Sequence, residues 1–410
     1  MTSWKKVTLQ NVFNFTNGKG IKKTLIKDTG KYPVMGANGV IGYTEDYLYD
    51  HPINIIGRVG SSGEIHRSNS PCWVSDNAII AESKDNLDDL FGYYLLKGTR
   101  IKQVIIGSTQ PLLTQSGLNI IPVSIPPLAE QKKIANILST LDQKIKLNQK
   151  MNETLEEIAK TLFKSWFIDF DPVRARAEGK PTGLSKEISD LFPDSFEDSE
   201  LGKIPKGWEI KKIKDLGKVI CGKTPPTKDK ENYGDGFKFI TIPDMHNQVF
   251  VLDSSKNITE KGAATLEGKL LQSKTICVSC IATPGLTVII DEPSYTNQQI
   301  NSIIPNETFL SYFLFLNFRL LGSKISIYGG GGSVFENLSK SKFENILVKI
   351  PDQKVLKSFD EFLTPVFDKI KVNVKENKLL ENILDTLLPK LISGKLKISD
   401  AKTIVEKIKI

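Results

Sequence analysis

The chain has 410 residues, of which 40% are hydrophobic, and its formal net charge is +8. This length suffices for two or three packed domains, and no stretch approaches the roughly 20 apolar residues that a membrane span requires. The four cysteines are too few and too scattered for a disulfide framework, and no apolar signal-peptide core follows the first residues, so we expect reduced thiols and a cytoplasmic location. The excess of basic residues favours a polyanionic partner, with nucleic acid as a candidate.

An internal repeat organises the chain. Trp4-Lys5-Lys6-Val7 returns as Trp208-Glu209-Ile210-Lys211 after 204 residues, whereas Ile125-Pro126 returns as Ile350-Pro351 after 225 residues. The second copy is therefore about 21 residues longer inside its globular part. Since solenoid repeats run roughly 20–50 residues, a period of this length predicts a duplicated domain.

Short apolar runs punctuated by glycines fill the globular part of the first copy, and this pattern is typical of a β domain with many loops. We predict a mostly-β domain over 1–127, with one helix over Leu87 to Lys97, and a second such domain over 205–351. The intervening segment 171–204 is charged and rich in turn residues. It is predicted to be a connector, with one short helix from Ser185 to Leu191.

A long helix with coiled-coil patterning follows each domain. Apolar residues alternate at spacings of four and three through 128–170 and again through 352–394, ahead of a C-terminal tail at 395–410. Two related helices in one chain most simply pack about an approximate two-fold axis, which makes them antiparallel. The predicted fold class is therefore α+β: two mostly-β domains, each followed by a long helix, with the helices forming an antiparallel coiled coil with pseudo-two-fold symmetry. The residues assigned to this helix–helix spacer are Ile134, Leu138, Leu141, Ile145, Asn148, Leu155, Leu162, Phe359, Phe362, Val366, Asn373, Leu380, Leu384 and Leu387.

Two asparagines interrupt the apolar seam at matched positions, Asn148 and Asn373. Because both lie near the middle of their helices, each could satisfy the other's amide, which would fix the register at some cost in stability. The alternative is that both face solvent. A helix of about 40 residues would be roughly 60 Å long at about 1.5 Å per residue, so it would act as a ruler that holds two globular heads against one long ligand such as duplex DNA.

Several segments carry a resemblance to one protein family. They are Ser165-Trp166-Phe167-Ile168-Asp169-Phe170-Asp171-Pro172-Val173, Leu191-Phe192-Pro193-Asp194 and Leu201-Gly202-Lys203-Ile204-Pro205-Lys206-Gly207-Trp208. They resemble the central conserved region of the specificity (S) subunit of type I restriction-modification systems. Tyr32-Pro33-Val34-Met35-Gly36-Ala37-Asn38-Gly39 and Gly222-Lys223-Thr224-Pro225 are similar to common motifs of target-recognition domains. The resemblance covers essentially the whole chain.

This resemblance implies two target-recognition domains, each reading one half of a bipartite site in double-stranded DNA. It implies that the helices set the spacing between the half-sites and dock two methyltransferase (M) subunits, beside restriction (R) subunits. The chain itself would be a non-catalytic subunit of a restriction endonuclease and adenine-N6 DNA methyltransferase complex. It would bind no cofactor, since S-adenosylmethionine, ATP and Mg would be used by the partner subunits.

One motif suggests a different activity. Residues Gly217 to Thr224 match the P-loop pattern G-x-x-x-x-G-K-[ST], and Val288-Ile289-Ile290-Asp291-Glu292 is similar to a Walker B strand. A working P-loop needs a helix that starts at the Gly-Lys-Thr, and Pro225-Pro226 disfavours that helix. The first copy has Gly18-Lys19 at the matched place but Phe13 where Gly217 stands. We assign Gly-Lys to the recognition domain and keep, as alternatives, a stand-alone DNA-binding or scaffold protein and, more remotely, an NTPase.

The remaining chemical motifs predict no metal site and no catalytic residue. Cys277-x-x-Cys280 is a lone pair on an alternating strand, which favours buried thiols over zinc. Gly329 to Gly332 lacks the spaced glycines and the ribose-binding acid of a dinucleotide site.

DNA contact calls for basic groups at phosphates and for amide, hydroxyl or guanidinium groups at base edges, carried on loops. In the first domain the candidates are Lys19, Lys22, Lys23, Asn38, Arg58, Ser61, Ser62, His66, Arg67, Thr109 and Gln110. In the second domain they are Lys223, Thr224, Lys228, Lys230, Asp244, His246, Asn247, Thr283, Gln298, Gln299, Tyr328 and Ser333. For any one of them, a solvated loop position is an equally good interpretation.

Overall fold

The computed structural model of the protein describes residues 4–107, 111–327 and 338–407. The chain forms two compact units. Unit 1 comprises Met1–Asn148 and Glu376–Ile410, and unit 2 comprises Gln149–Lys375. Each unit therefore holds one copy of the repeat together with part of each long helix.

Unit 1 holds the first copy, a mostly-β domain. Its helix from residue 89 begins after Asp88, whose carboxylate accepts a hydrogen bond from the Phe91 amide at 2.9 Å and so caps the helix. The strands are β1 (Lys5–Thr8), β2 (Phe13–Asn17), β3 (Tyr32–Gly36), β4 (Gly39–Thr44), β5 (Ile53–Gly57), β6 (Ile65–Ser68), β7 (Trp73–Val74), β8 (Ala78–Ser83) and β9 (Pro122–Ile125), and the helices are α1 (Asp89–Gly98) and α2 (Gln115–Asn119).

The first long helix, α3 (Leu128–Phe167), is followed by a connector that holds more structure than the sequence predicts. The helix ends three residues before the predicted end, and Phe170 takes a left-handed φ of 57° ahead of the next helix. The connector is ordered because its aromatic residues pack: the Phe192 ring lies edge-on to Trp166 at 5.0 Å between centroids. Its elements are α4 (Asp171–Ala177), α5 (Lys186–Ser189), β10 (Phe196–Ser199) and β11 (Gly202–Pro205).

Unit 2 holds the second copy. Its strands are β12 (Glu209–Lys212), β13 (Gly217–Cys221), β14 (Tyr233–Ile240), β15 (Phe250–Val251), β16 (Asn257–Ile258), β17 (Ile276–Ser279), β18 (Thr287–Ile290), β19 (Ser294–Thr296), β20 (Ile300–Pro305) and β21 (Leu347–Ile350). Its helices are α6 (Ile213–Leu216), α7 (Ile242–Met245), α8 (Glu260–Ala264), α9 (Ser311–Ile327) and α10 (Lys340–Glu344). The second long helix, α11 (Gln353–Ile392), and the C-terminal α12 (Ile398–Lys407) follow.

The two copies share one topology, which confirms the duplication. In unit 1 the sheet order is β2-β8-β5-β6, and in unit 2 the matched order is β13-β20-β17-β18, to which β15 adds in parallel. The smaller sheets also match, β4-β3-β7 with β16-β14-β19 and β1-β9 with β12-β21. The strand β15 lies in the longer part of the second copy, so the extra residues extend its main sheet.

The two long helices pair antiparallel, as predicted. In unit 2 the Asn373 amide donates to Asn152 at 2.7 Å, and the Phe167 ring lies 4.7 Å from that of Phe359. A residue later in α3 therefore contacts a residue earlier in α11, as in an antiparallel pair. In unit 1 the Asn148 amide, at the end of this unit's part of α3, donates to Asn377 at 2.9 Å, at the start of its part of α11. The α+β fold class is therefore confirmed.

The partners of the seam asparagines differ from the prediction. Asn148 and Asn373 do not satisfy one another, because each pairs inside its own unit, with Asn377 and Asn152 respectively. The solvent-facing alternative is also wrong, since Asn148 is 1% and Asn373 0% exposed. Burial of four amides in an apolar interface favours one register over its neighbours.

Most of the predicted spacer residues are buried, and Phe362 is the most exposed of them, although its ring still lies edge-on to Trp166 of α3 at 5.9 Å between centroids. Phe362 is 44% exposed, whereas Leu363 and Phe367 are fully buried. The reason is that Phe367 stacks on Tyr312 of α9 at 4.3 Å between centroids, so α11 must cover its domain as well as the other helix. The residues Ile134, Leu138, Leu141, Ile145, Asn148, Phe359, Asn373, Leu380, Leu384 and Leu387 are buried, and Leu155, Leu162 and Val366 are partly buried.

Candidate nucleic-acid interface

The Gly18-Lys19 turn of unit 1 ends strand β2 and lies against the segment that joins β7 to β8. The Gly18 amide donates to the Ala78 carbonyl at 3.0 Å, and the Lys19 amide donates to the Val74 carbonyl at 2.9 Å. The Trp73 indole donates to the Lys19 carbonyl at 2.8 Å. The backbone of the turn is fixed by these bonds, while the Lys19 side chain remains exposed.

The Gly222-Lys223 turn of unit 2 is held by the same two hydrogen bonds. The Gly222 amide donates to the Ile300 carbonyl at 3.1 Å, and the Lys223 amide donates to the Thr296 carbonyl at 2.9 Å. The Lys223 side chain is exposed, as that of Lys19 is. The two domains therefore present a lysine from the same rigid place in their fold.

Only glycine fits the first position of this turn. A Cβ at Gly18 would lie 2.1 Å from the Ser75 carbonyl oxygen, and a Cβ at Gly222 would lie 2.2 Å from that of Asn297. Real Cβ atoms do not approach backbone oxygens this closely, so any side chain would push the turn away from the loop. The glycines thus serve a close backbone approach inside the domain.

The same geometry is incompatible with a P-loop. No helix starts at Thr224: the backbone continues through Pro225 and Pro226, whose carbonyls accept hydrogen bonds from the Tyr233 hydroxyl at 2.9 Å and the Asn232 amide at 3.0 Å. The free amides of a helix N-terminus, which would hold phosphate in a P-loop, are absent at this place. The motif is a structural turn of the second domain.

A groove of about 670 Å³ with both polar and apolar lining opens beside the turn in unit 2. The Thr224 hydroxyl at its edge donates to the Gln298 side-chain oxygen at 2.7 Å. Hydroxyl, amide and ammonium groups line the groove, as base-edge and phosphate recognition require. The lining residues are Thr224, Thr227, Tyr233, Gly234, Phe239, Thr241, Lys256, Asn257 and Asn297.

The comparisons with known proteins identify the family. The family described as the type I restriction modification DNA specificity domain matches residues 1–157 and 205–382 of the chain, which are the two copies of the repeat. The type I restriction enzyme HindI specificity subunit of Haemophilus influenzae is 38% identical over 329 residues, covering 70% of this chain and 72% of that protein. The chain belongs to the family of type I restriction-modification specificity subunits.

Further relatives agree with this assignment. The MjaIX specificity subunit of Methanocaldococcus jannaschii is 31% identical over 77% of this chain and 71% of its own length. The crystal structure of a type I restriction-modification S subunit from M. genitalium shares the fold, with a TM-score of 0.60 over 95% of this chain and 96% of that one, at 19% identity. No helix in the described ranges of this specificity subunit is long and apolar enough to cross a membrane.

In the first recognition domain, seven of the predicted contact residues are accessible. Lys19, Lys22, Lys23 and Asn38 are exposed, and Arg58, Ser61 and His66 are partly exposed. The fold brings two of these regions together, since a Cβ at Gly39, beside Asn38 in the β3–β4 turn, would lie 3.5 Å from the His66 ring.

Two predicted contacts of the first domain serve its interior instead. Ser62 is 7% exposed, and its hydroxyl oxygen lies 2.8 Å from the Arg58 carbonyl and 2.7 Å from the Pro111 carbonyl, either of which can accept its single hydrogen. The Arg67 guanidinium is 12% exposed and pairs with Asp89 at 2.6 Å. Loop position alone did not reveal these partners, which are distant in sequence, and direct DNA contact by Ser62 or Arg67 is not favoured.

In the second recognition domain the described candidates all have accessible surface. Lys223, Lys228, Lys230, His246, Asn247, Thr283 and Gln298 are exposed, and Thr224, Asp244 and Gln299 are partly exposed. Asp244 also has a structural role, because its carboxylate accepts hydrogen bonds from the backbone amides of Thr241 and Ser255, both at 2.8 Å. The predicted contacts Thr109, Gln110, Tyr328 and Ser333, and the Gly329 to Gly332 segment, lie outside the described residues.

Sequence reasoning missed most of the groove. Thr241, Lys256, Asn257 and Asn297 line it but come from segments that are up to 56 residues apart in the chain. Two of them, Thr241 and Lys256, lie between β14 and β16, where the second copy is longer than the first. The greater length of that copy was the only sequence signal that the second domain carries an additional feature.

Cys277 in β17 and Cys280 just after it are both buried. The Cys277 thiol lies 3.1 Å from the Ser302 hydroxyl, and burial raises the pKa of this thiol to about 12. The Asn301 amide donates to the Cys280 sulfur at 3.3 Å. Across the described part of the chain, no group of three or more His, Cys, Asp or Glu side chains could hold a metal ion.

Proposed function

We propose that the chain supplies the sequence specificity of a type I restriction-modification complex, with each recognition domain reading one half of a bipartite site in double-stranded DNA. The observation that carries this proposal is the Gly-Lys turn, which is anchored by the same two hydrogen bonds in both domains. Two rigid copies of one surface, each followed by a long helix, suit a ligand with two separated half-sites.

The exposed lysines are proposed to contact phosphates and the adjoining polar groups to read bases. In the first domain Lys19, Lys22 and Lys23 would hold the backbone, while the base readers would come from Asn38, Arg58, Ser61 and His66. In the second domain Lys223, Lys228, Lys230 and Lys256 would hold the backbone. The groove with Thr224, Asn257, Asn297 and Gln298 would face the base edges, since amide side chains pair with adenine in the major groove.

The helix pair is proposed to set the half-site spacing and to dock two methyltransferase subunits. Leu147 on α3 and Val372 on α11 occupy matched positions of the repeat, and each is 56% exposed. Exposed aliphatic side chains at equivalent places are suited to two identical partners, one for each position. The half-sites should then lie about one helical turn, roughly 34 Å, apart on one face of the duplex.

Catalysis is assigned to the partner subunits. The methyltransferase subunits would use S-adenosylmethionine to methylate adenine at N6, and restriction subunits would use ATP and Mg. This division is supported by the strand and turn geometry at Gly217 to Thr224, where a nucleotide-binding helix would be needed for the chain to act alone.

The test is methylome sequencing of a host strain with and without the gene. An adenine-methylated bipartite motif that disappears on deletion would support the proposal and give both half-sites. An unchanged methylome, combined with no sequence preference of the purified chain and its methyltransferase subunits for any duplex, would overturn it.

A further inference from the structure

The second recognition domain is tied to α11 by a buried carboxylate. Asp291 directly follows strand β18, and its side chain is only 4% exposed. One of its oxygens pairs with the Lys371 ammonium, and the other lies 3.1 Å from the ammonium of Lys375. The two lysines are four residues apart, so they lie on one face of the helix, one turn after the other. We call these three residues the Asp291 clamp.

The contacts around the clamp are between aromatic rings, and they are less directional than the ion pairs of the clamp. The Phe367 ring, one turn before Lys371, stacks on Tyr312 with an interplanar angle of 5° and lies edge-on to Phe250 and Phe315. Flat ring contacts tolerate small displacements, whereas a buried carboxylate between two ammonium groups has one favourable position. The charges therefore fix the direction in which the domain sits on this part of α11.

A second ion pair joins the domain to α3. The Arg319 guanidinium on α9 lies 2.8 Å from the Glu156 carboxylate and donates to the Gln248 carbonyl at 2.8 Å. Both side chains of this pair are about one third exposed, so it is more hydrated than the Asp291 clamp. Together the Asp291 clamp and the Arg319–Glu156 pair connect the domain of unit 2 to both helices of that unit.

The clamp belongs to the second domain alone. The helix positions that match Lys371 and Lys375 also carry lysine, Lys146 and Lys150, but the position that matches Asp291 is Asn69. The Asn69 side chain is neutral and accepts a hydrogen bond from Arg67 at 2.9 Å. The shared recognition fold thus does not require this carboxylate.

The first domain meets its helix differently. The Tyr94 hydroxyl donates to Asp142 of α3 at 2.6 Å, and Gln131 of α3 accepts from the Asp88 amide at 2.8 Å. Asp142 occupies the helix position that matches Phe367. The two domains are therefore docked at equivalent helix positions by unlike groups.

We propose that Asp291 is a positioning residue: by holding the second domain against Lys371 and Lys375, it sets the single half-site spacing that the complex accepts. This rests on the proposed function. A domain that is held at one angle reaches its half-site at one distance along the duplex, whereas a domain held only by aromatic contacts and the hydrated Arg319–Glu156 pair can tilt. Since neighbouring base pairs are about 3.4 Å apart, a small tilt is enough to reach a site one base pair away.

The experiment uses the complex of the full chain with its methyltransferase subunits. Methylation is measured on duplexes that carry both half-sites with the native spacer, or with one base pair fewer or more. The wild-type complex should prefer the native spacer strongly. Asp291→Asn should reduce that preference by about tenfold while leaving the base preferences inside each half-site unchanged. Asp291→Glu, which keeps the charge, should restore most of it.

The controls separate positioning from folding. Asp235→Asn, a neutralisation at an exposed position of the same domain, should leave the spacer preference unchanged. The double variant Lys371→Gln/Lys375→Gln leaves the domain's own sequence intact and should relax the spacer preference as Asp291→Asn does.

Three outcomes are decisive. If both the Asp291→Asn and the double-lysine variants keep the wild-type spacer preference, the inference is wrong. If either variant instead loses the base preferences of the second half-site at every spacer, the clamp supports the domain's fold rather than its position, and the inference is again wrong. If the wild-type complex shows no bipartite preference, it is the proposed function that fails.

Discussion

Gly222 lies directly beneath the backbone carbonyl of Asn297, so close that a methyl group at residue 222 would come within 2.2 Å of that oxygen. The same relationship joins Gly18 to Ser75 at 2.1 Å. In the second domain the turn lies against the loop that carries the candidate base readers Asn297 and Gln298, and in the first it lies against a loop whose Asn77 carbonyl accepts a hydrogen bond from the Arg58 amide at 2.9 Å. The contact links the local conformation of each turn to the position of its recognition surface.

Replacing either glycine by alanine should disturb one half-site and spare the other. Gly222→Ala must displace the turn or the loop at 297, which we expect to cost about 1–3 kcal/mol of unfolding free energy. Binding to duplexes that vary only in the second half-site should lose discrimination, whereas discrimination at the first half-site should persist. Gly18→Ala should instead reduce discrimination at the first half-site and leave discrimination at the second unchanged. Equal loss at both half-sites in either variant would show that the turn does not act within its own domain.

A second matched pair tests backbone strain at a loop between strands. Gly60 in the first domain has a φ of 75°, and Ala282, at the matched position of the second domain, has a φ of 63°. Side chains other than glycine are strained there by about 1–2 kcal/mol. Gly60→Ala should therefore lower stability by about 1 kcal/mol, although a Cβ at residue 60 would meet nothing within 4 Å.

The reciprocal change, Ala282→Gly, should raise stability by about 0.5–1 kcal/mol, because relief of strain exceeds the entropy that glycine adds to the unfolded chain. Denaturant unfolding of the four proteins, including the wild type and the double variant, measures both signs. Destabilisation by Ala282→Gly would contradict the expectation.

The buried asparagines should behave as a coupled pair. Asn373→Leu leaves the buried Asn152 amide without its partner at 2.7 Å, which should cost about 1–3 kcal/mol. The double variant Asn152→Leu/Asn373→Leu removes both polar groups and should recover most of that loss, giving a clear interaction term in a double-mutant cycle. Asn382→Leu, on the exposed face of α11, is the control and should change the melting temperature little. Simple additivity of the two buried substitutions would argue against the pairing.

The repeat and the helices could be predicted from sequence because their signals are periodic and local. The matched Trp4 and Trp208 strings mark the two copies, and the spacing of residues such as Ile134 and Leu138 marks the stripe that α3 buries. The same periodicity left out the buried Leu363 and Phe367, because a seam of period 3.5 does not describe a helix that also covers a domain. What Phe367 touches depends on Tyr312, far away in sequence.

The candidate interface was predictable only in part, for a related reason. Exposed lysines such as Lys223 follow from turn residues next to strands. The burial of Arg67 against Asp89 and the convergence of Lys256 and Asn297 on one groove depend on pairings between distant segments. Loop residues in a sequence carry no sign of whether their side chains point inward, so they could not be sorted into readers and supports.

Two arginines of the first domain should separate recognition from stability. Arg58 is partly exposed, and Arg58→Ala should leave stability within about 0.5 kcal/mol while weakening binding only at duplexes that carry the first half-site. Arg67→Ala removes the partner of Asp89 and of the Asn54 side chain, 2.8 Å away, and should cost about 1–3 kcal/mol. Thermal unfolding and binding to specific and random duplexes measure both effects. Equal loss on random DNA would assign Arg58 to a phosphate or to the fold.

Asp360 on α11 should make the protein less stable near neutral pH. Burial raises the pKa of this carboxyl above its ordinary value of 3.8, and one of its oxygens is buried with no hydrogen-bond partner among the described residues. A raised pKa means that the folded state resists ionisation, so the cost is fully present above the folded-state pKa and disappears as pH falls to the ordinary value. Asp360→Asn should therefore raise the melting temperature at pH 7 and have little effect near pH 3.

Asp291, which pairs with Lys371 and Lys375 of the same helix, should have the opposite effect on stability. Its burial opposes ionisation, but hydrogen bonds from Lys371 and Lys375 outweigh that and lower its pKa below 3.8. The stability that it contributes is present above the ordinary pKa and is lost as pH falls through the lowered one. Asp291→Asn should lower the melting temperature at pH 7, and Asp368→Asn, at an exposed position, should change it little. A rise in melting temperature on Asp291→Asn, or a fall on Asp360→Asn, at pH 7 would show that these two carboxylates do not act as the geometry indicates.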